Sequence, residues 1–144
     1  MTTEIYDDHG IRFEYPSDWE LEVTDEGSVI TVGLEHPGGI AFALVRTDET
    51  CPDPDEIADL ALEAMRDEYP SLDVSPVSET FHDHSVTGHD VEFFSLDIAS
   101  AASIRCFRTP RRTLLVFGQW SDLGDDDLSD VVNGLFRSLE ETSD

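Results

Sequence analysis

The stretch Ser103–Trp120, SIRCFRTPRRTLLVFGQW, decides the reading of the fold. Leu114-Leu115-Val116-Phe117 is apolar at every position, so neither side of that strand faces water; a strand reads this way when both sheet faces are covered. Thr109-Pro110-Arg111-Arg112 is a turn, with Pro where a fixed φ suits a type I geometry. The stretch is therefore a hairpin whose second arm belongs at the centre of a sheet. Arg105, Arg108, Arg111 and Arg112 put four of the chain's eight cations on the same element.

Working outward, both flanks follow the same logic. N-terminal to the hairpin, Gly10–Tyr15 alternates apolar and polar residues, and Pro16-Ser17-Asp18-Trp19 turns the chain. Strands around Trp19 to Val23, Val29 to Leu34 and Ile40 to Val45 continue an antiparallel meander. A helix follows, with Asp53 as N-cap, Pro54 at its first position and Glu56 at the capping-box position. Ile57, Leu60, Ala61, Ala64 and Met65 are its expected core stripe, and Tyr69-Pro70 ends it. Strands are expected again at about Val74 to Phe81 and Gly88 to Ile98. Beyond the hairpin, Asp125-Asp126-Asp127 and Arg137 suit the two ends of a closing helix. Leu128, Val131, Val132, Leu135, Phe136 and Leu139 form its apolar stripe.

Strands, a helix, strands and a helix in 144 residues make one α+β domain. The expected architecture is an α/β/α sandwich: a central antiparallel sheet of about six to eight strands with two main helices, one on each face.

Composition narrows the partners. Thirty-three acidic residues face eight basic ones, all Arg, for a formal net charge of −25; Lys is absent. So few cations argue against binding nucleic acid or an anionic membrane. An acidic, lysine-free chain resembles the proteins of organisms that keep molar salt in the cytoplasm, where a Debye length of about 3 Å screens self-repulsion. An acidic protein of ordinary cytoplasm is the alternative. The N-terminal MTTEIYDD lacks the basic and apolar regions of a signal peptide, and the apolar run Ile40–Val45 is too short to span a bilayer. A soluble, cytoplasmic protein is expected. Cys51 and Cys106 fit no metal or redox spacing and read as inert thiols, although a disulfide between them is conceivable.

Taken together, the strand ending in Tyr15-Pro16-Ser17-Asp18-Trp19, the meander, the helix, the long antiparallel run and the closing helix resemble the PsbP/Mog1-type α/β/α sandwich, in the manner of its prokaryotic members of undefined role. That family includes a photosystem II extrinsic subunit and a Ran-GTPase-binding protein. The resemblance implies the fold and a non-catalytic role in binding another protein. It transfers no functional residue, because no position here matches the photosystem subunit's binding motifs.

Three sets of residues carry candidate chemistry. Arg108, Arg111 and Arg112 are candidates for a partner site, since guanidinium forks bind carboxylates and phosphates; the competing reading is that the arginines neutralise neighbouring Asp and Glu across strands. By strand alternation Arg105 and Arg108 point to opposite faces, so the four arginines cannot make one patch without the turn twisting. Trp19 and Trp120 are ligand-pocket candidates, against a role as core or edge covers. In Phe81-His82-Asp83-His84-Ser85-Val86-Thr87-Gly88-His89-Asp90, extended backbone would put His82 and His84 on one face. A turn returning His89 would then complete a three-imidazole metal site, and a metal-dependent enzyme is accordingly the alternative function. The competing reading is a solvated turn. No nucleophile elbow or phosphate-binding glycine loop occurs. No cofactor is expected, and the protein partner is left unidentified.

Overall fold

The computed structural model describes residues 2–121 and 128–142; Asp125-Asp126-Asp127 lie outside them. Chain order is β1 (Thr3–Asp8), β2 (Ile11–Pro16), β3 (Glu20–Asp25), β4 (Val29–Glu35), β5 (Ala41–Asp48), α1 (Pro54–Glu68), β6 (Leu72–Phe81), β7 (His84–Ser95), β8 (Ile98–Arg108), β9 (Thr113–Ser121), α2 (Leu128–Ser138) and β10 (Glu140–Glu141).

β9 is the middle strand of a seven-stranded antiparallel sheet ordered β3-β4-β5-β9-β8-β7-β6. Its apolar residues serve two layers. Leu114 and Val116 join the core under α2 and the small sheet, while Leu115 joins the core under α1. The double-sided reading of this strand is correct, and so is the α+β sandwich built around it.

The first hairpin departs from expectation. β1 and β2 leave the meander and form a separate three-stranded sheet, β1-β2-β10. Ile11, Phe13 and Tyr6 from that sheet pack with α2 against the large one. β1 escapes sequence patterning because Tyr6 is its single buried residue. The β1–β2 turn uses His9 and Gly10, both with positive φ, in the two-residue form that matches strand twist.

α2 buries Leu128, Val132, Leu135 and Phe136 as its periodicity requires, with Leu139 following directly. In α1 the Asp53 carboxylate accepts from the Asp55 amide at 3.0 Å, the expected cap. The buried stripe, however, is Ala58, Leu62 and Met65, and Leu60 is 64% exposed. Ile57, Leu60, Ala61 and Ala64 recur at i, i+3, i+4 and i+7 and make a second apolar stripe beside the first. Two adjacent stripes read in sequence as one.

Both thiols are free. Burial, and secondarily Asp55 and Asp53, push the Cys106 thiol from 9.0 up to about 12. Burial and then Asp8 push the Tyr6 phenol from 10.0 up to about 12. Both groups are neutral in folded and unfolded chains at neutral pH, where they contribute nothing to pH dependence. Above pH 9 the unfolded thiol ionises first and the unfolded phenol next, while the folded groups stay neutral, so stability falls as pH rises towards 12. Alkaline titration followed by circular dichroism should show this loss, and Cys106→Ala combined with Tyr6→Phe should move the midpoint upward. At neutral pH a thiol reagent should modify Cys51 in the folded protein and both thiols only after unfolding.

Candidate functional site

The two layers cover the large sheet unequally. α1 packs across β7, β8 and β9. On that same face, alternation points Glu20, Glu22, Thr24, Thr31, Gly33, Glu35, Phe42, Leu44 and Arg46 outward from β3, β4 and β5, although Arg46 does not line the depressions there. Among the described residues no element lies over this half of the face. It forms a depression of about 590 Å³ over β3–β5. A second, of about 240 Å³, runs against α1, and the two share Phe42 and Leu44.

The floor is aromatic and aliphatic. Phe42 and Phe117 stack with centroids 5.8 Å apart, and Leu44 pairs in register with Phe117. Phe42 remains 39% exposed. One wall is the second apolar stripe of α1, through Ala61 and Ala64. The opposite flank of the helix is polar and turned towards β7, where Asp59 Oδ1 lies 3.2 Å from His89 Nε2. Helix α1 thus presents a mainly apolar side to the open sheet, with Glu68 at its C-terminal end. The charged residues lining the two depressions are Glu20, Glu22, Glu35 and Glu68, all carboxylates. None of these surface residues stands out in sequence, because Phe42 and Leu44 sit in a run that reads as buried. The one available signal is the excess width of the α1 stripe.

A smaller open area lies on the other face at the far end of β6–β8. There Phe94 is 73% exposed, and Leu96, in the positive-φ turn Leu96-Asp97, is 93% exposed.

The arginine hairpin has a different character. Arg111 is exposed at the turn, but Arg112, the adjoining partner-site candidate, is only 4% exposed. Its guanidinium donates to the His9 carbonyl at 2.9 Å and lies against Glu141 of β10, Nε to Oε2 3.1 Å. That second approach is an ion pair without hydrogen-bond alignment, since the Nε–H does not point along the contact. The Thr109 hydroxyl donates to the same carboxylate oxygen at 2.7 Å. Gly10 leaves the space the guanidinium fills: a Cβ there would strike Arg112. Arg112 is a clamp joining the β8–β9 turn, the β1–β2 turn and β10, and it is not available to a partner.

Arg105 pairs with Asp90 at 2.8 Å and Glu79 at 3.5 Å, as the neutralising reading requires. Arg108, exposed on the opposite face, reaches the Cys51 carbonyl at 3.5 Å. Arg108 and Arg111 therefore do not join Arg112 in one patch.

The three imidazoles do not converge. His82 and Asp83 form the two-residue β6–β7 turn, both with positive φ, so the backbone there is not extended. His84 stacks on Phe107 at 5.5 Å on the α2 side, while His89 meets Asp59 on the α1 side. Among the described residues no three His, Cys, Asp or Glu side chains are grouped to hold a metal ion. The tryptophans also separate in role. Trp19 is 6% exposed and lies in the core, edge-on to His36 at 5.7 Å. Trp120 is partly buried and lines a cleft of about 290 Å³ with Ile40 and Leu96.

Among the described residues no helix is long and apolar enough to cross a membrane. No family model matches the sequence, and no curated protein matches it. Solved structures do share its fold. Cyanobacterial PsbP (CyanoP) from Synechocystis sp. PCC 6803 aligns with TM-score 0.65 and 15% identity, over 96% of this chain and 92% of its own. A Bacteroides thetaiotaomicron structure aligns with TM-score 0.61 and 12% identity over 94% of this chain; the chain spans 46% of that protein's length. LpqN of Mycobacterium tuberculosis, described as involved in cell envelope biogenesis, aligns with TM-score 0.55 and 14% identity, over 98% of this chain and 90% of its own. The fold is PsbP-like.

Proposed function

We propose that this chain is a non-catalytic protein-interaction module that docks its partner on the open half of the sheet beside α1. One observation carries the reading: Phe42, Leu44 and Phe117 form an apolar floor, and the helix next to it turns a partly exposed apolar stripe towards them. Contiguous apolar surface with a charged rim marks interaction sites in folded proteins. The likeness to PsbP and LpqN adds a modest weight towards an accessory role, by analogy of fold alone. Composition supports one further element, that the module works in a salt-rich cytoplasm.

A random-peptide display selection against the folded protein tests the docking face. Selected peptides should bind Phe42→Asp at least tenfold more weakly, a change of about 1.4 kcal/mol. The variant should keep its fold, because the Phe42 side chain is already partly in water. Peptides that bind the variant and the parent equally, or a selection that enriches nothing, would remove this face from the function.

A further inference from the structure

We infer that the occupant of this face is a basic amphipathic helix, laid alongside α1 so as to complete the outer layer of the sandwich. The inference rests on the docking reading above and adds the partner's shape and charge.

Shape comes from the sheet. Strands lie about 4.8 Å apart, so β3, β4 and β5 offer a strip about 10 Å wide between their outer axes. A helix with side chains is about 10–12 Å across, and packed helices sit about 8–10 Å apart. The uncovered strip is one helix wide. α1 already occupies the other half of the face, and its neighbouring flank is built for helix contact: Ala61 and Ala64 are small enough to let another backbone approach, and Leu60, 64% exposed, stands on the same stripe. An extended peptide fits less well. Strand addition needs a free sheet edge, and the edge of β3 carries Glu20, Glu22 and Asp25, which discourage pairing.

Charge comes from the rim. Glu20 and Glu22 border the strip on the β3 side, Glu35 stands at the end of β4, and Glu68 borders it at the C-terminal end of α1. An incoming helix with Leu or Phe along one stripe would seat that stripe on Phe42, Leu44 and Phe117. Lys or Arg on its flanks would meet carboxylates on both sides. An acidic helix would meet like charge at every lining charge the structure describes.

The probe is a synthetic 18-residue helix-forming peptide with a Leu/Phe stripe and Lys/Arg flanks. Its controls are the same peptide with Glu flanks and one interrupted by two prolines. Binding is read by fluorescence anisotropy in 0.5 M KCl, where diffuse attraction to the acidic surface is screened, and peptide helicity by circular dichroism. The basic peptide should bind and gain helicity, with the Glu-flanked and proline peptides at least tenfold weaker. Phe42→Asp and Leu60→Asp should each weaken it at least fivefold, although each adds a negative charge that would strengthen non-specific attraction. Glu20→Gln/Glu22→Gln/Glu35→Gln should bring the basic and Glu-flanked peptides to within about threefold of each other. Equal binding of both charge types to the parent protein, binding without helix formation, or binding indifferent to Phe42→Asp and Leu60→Asp would each overturn the inference. Selected peptides that depend on Phe42 but are acidic or extended would overturn it while leaving the docking face in place; loss of Phe42 dependence in every peptide would overturn both.

Discussion

Arg112→Gln should destabilise the protein by about 3 kcal/mol, lowering its melting temperature by roughly 10 °C or more. Glutamine removes the cation but leaves the Glu141 carboxylate, 24% exposed, without its ion-pair partner, and leaves the His9 carbonyl without its donor. A buried charge deprived of its partner costs more than the pair contributes. Removing both charges tests that account. Arg112→Met/Glu141→Leu should recover at least half of the loss, which no additive scheme of lost contacts would give. Gly10→Ala should produce a comparable loss with no change of charge, since φ is +79° there and the new methyl would occupy the guanidinium's space. Arg111→Gln is the contrast. Its side chain reaches the Thr142 carbonyl at 3.2 Å from an exposed turn, and its loss should stay within about 0.5 kcal/mol. If Arg112→Gln also melts within that limit of the parent, the clamp is not structural. Denaturant titrations at neutral pH would measure all four variants against the parent.

The second large effect is the response to salt. With a formal net charge of −25, thermal stability should climb steeply and continuously from 0.1 to 3 M KCl, because the Debye length shrinks from about 10 Å to under 3 Å. A matched series in sodium sulfate separates screening from salt exclusion: a rise confined to sulfate would be ordinary salting-out, and a flat KCl series would end the salt-adapted reading. The two effects should be independent. The Arg112–Glu141 pair is largely out of solvent, so screening reaches it poorly, and the Arg112→Gln loss should persist in 3 M KCl while the curves for both proteins move up together.

How far sequence carried the structure differs from residue to residue. The Leu114–Phe117 run located the middle of the sheet because burial on two faces leaves no polar position in a strand. α2 and the Asp53 cap were equally plain, since each depends on neighbours within one or two helical turns. Arg112 was not readable. It looks like Arg111 in sequence, and what distinguishes it is a carboxylate 29 positions later and a missing Cβ at Gly10, 102 positions earlier. In the histidine stretch the metal alternative required extended backbone through His82; positive φ at His82 and Asp83 makes a turn there instead, and His84 and His89, five apart on β7, alternate to opposite faces. The open half of the sheet beside α1 was hidden for a related reason. An apolar strand residue carries no mark of which half of a sheet a helix will cover, so Phe42 read as core.

The sheet is two meanders joined at one seam. β3-β4-β5 and β6-β7-β8-β9 each close through connections of five residues or fewer, while the pairing of β5 with β9 joins Asp48 to Thr113 across all the chain between them. Loop-closure entropy delays that step, so the local hairpins form first and the seam afterwards. Until it closes, Ala41–Asp48 and Thr113–Ser121, the two most apolar edges in the molecule, stand unpaired and fit to zip onto the same strands of another nascent copy. Mutual repulsion between copies carrying 33 carboxylates each holds them apart through that interval. The charge that strains the finished fold thus protects its assembly, and refolding yield should be most sensitive to concentration at the salt levels where the native state is most stable.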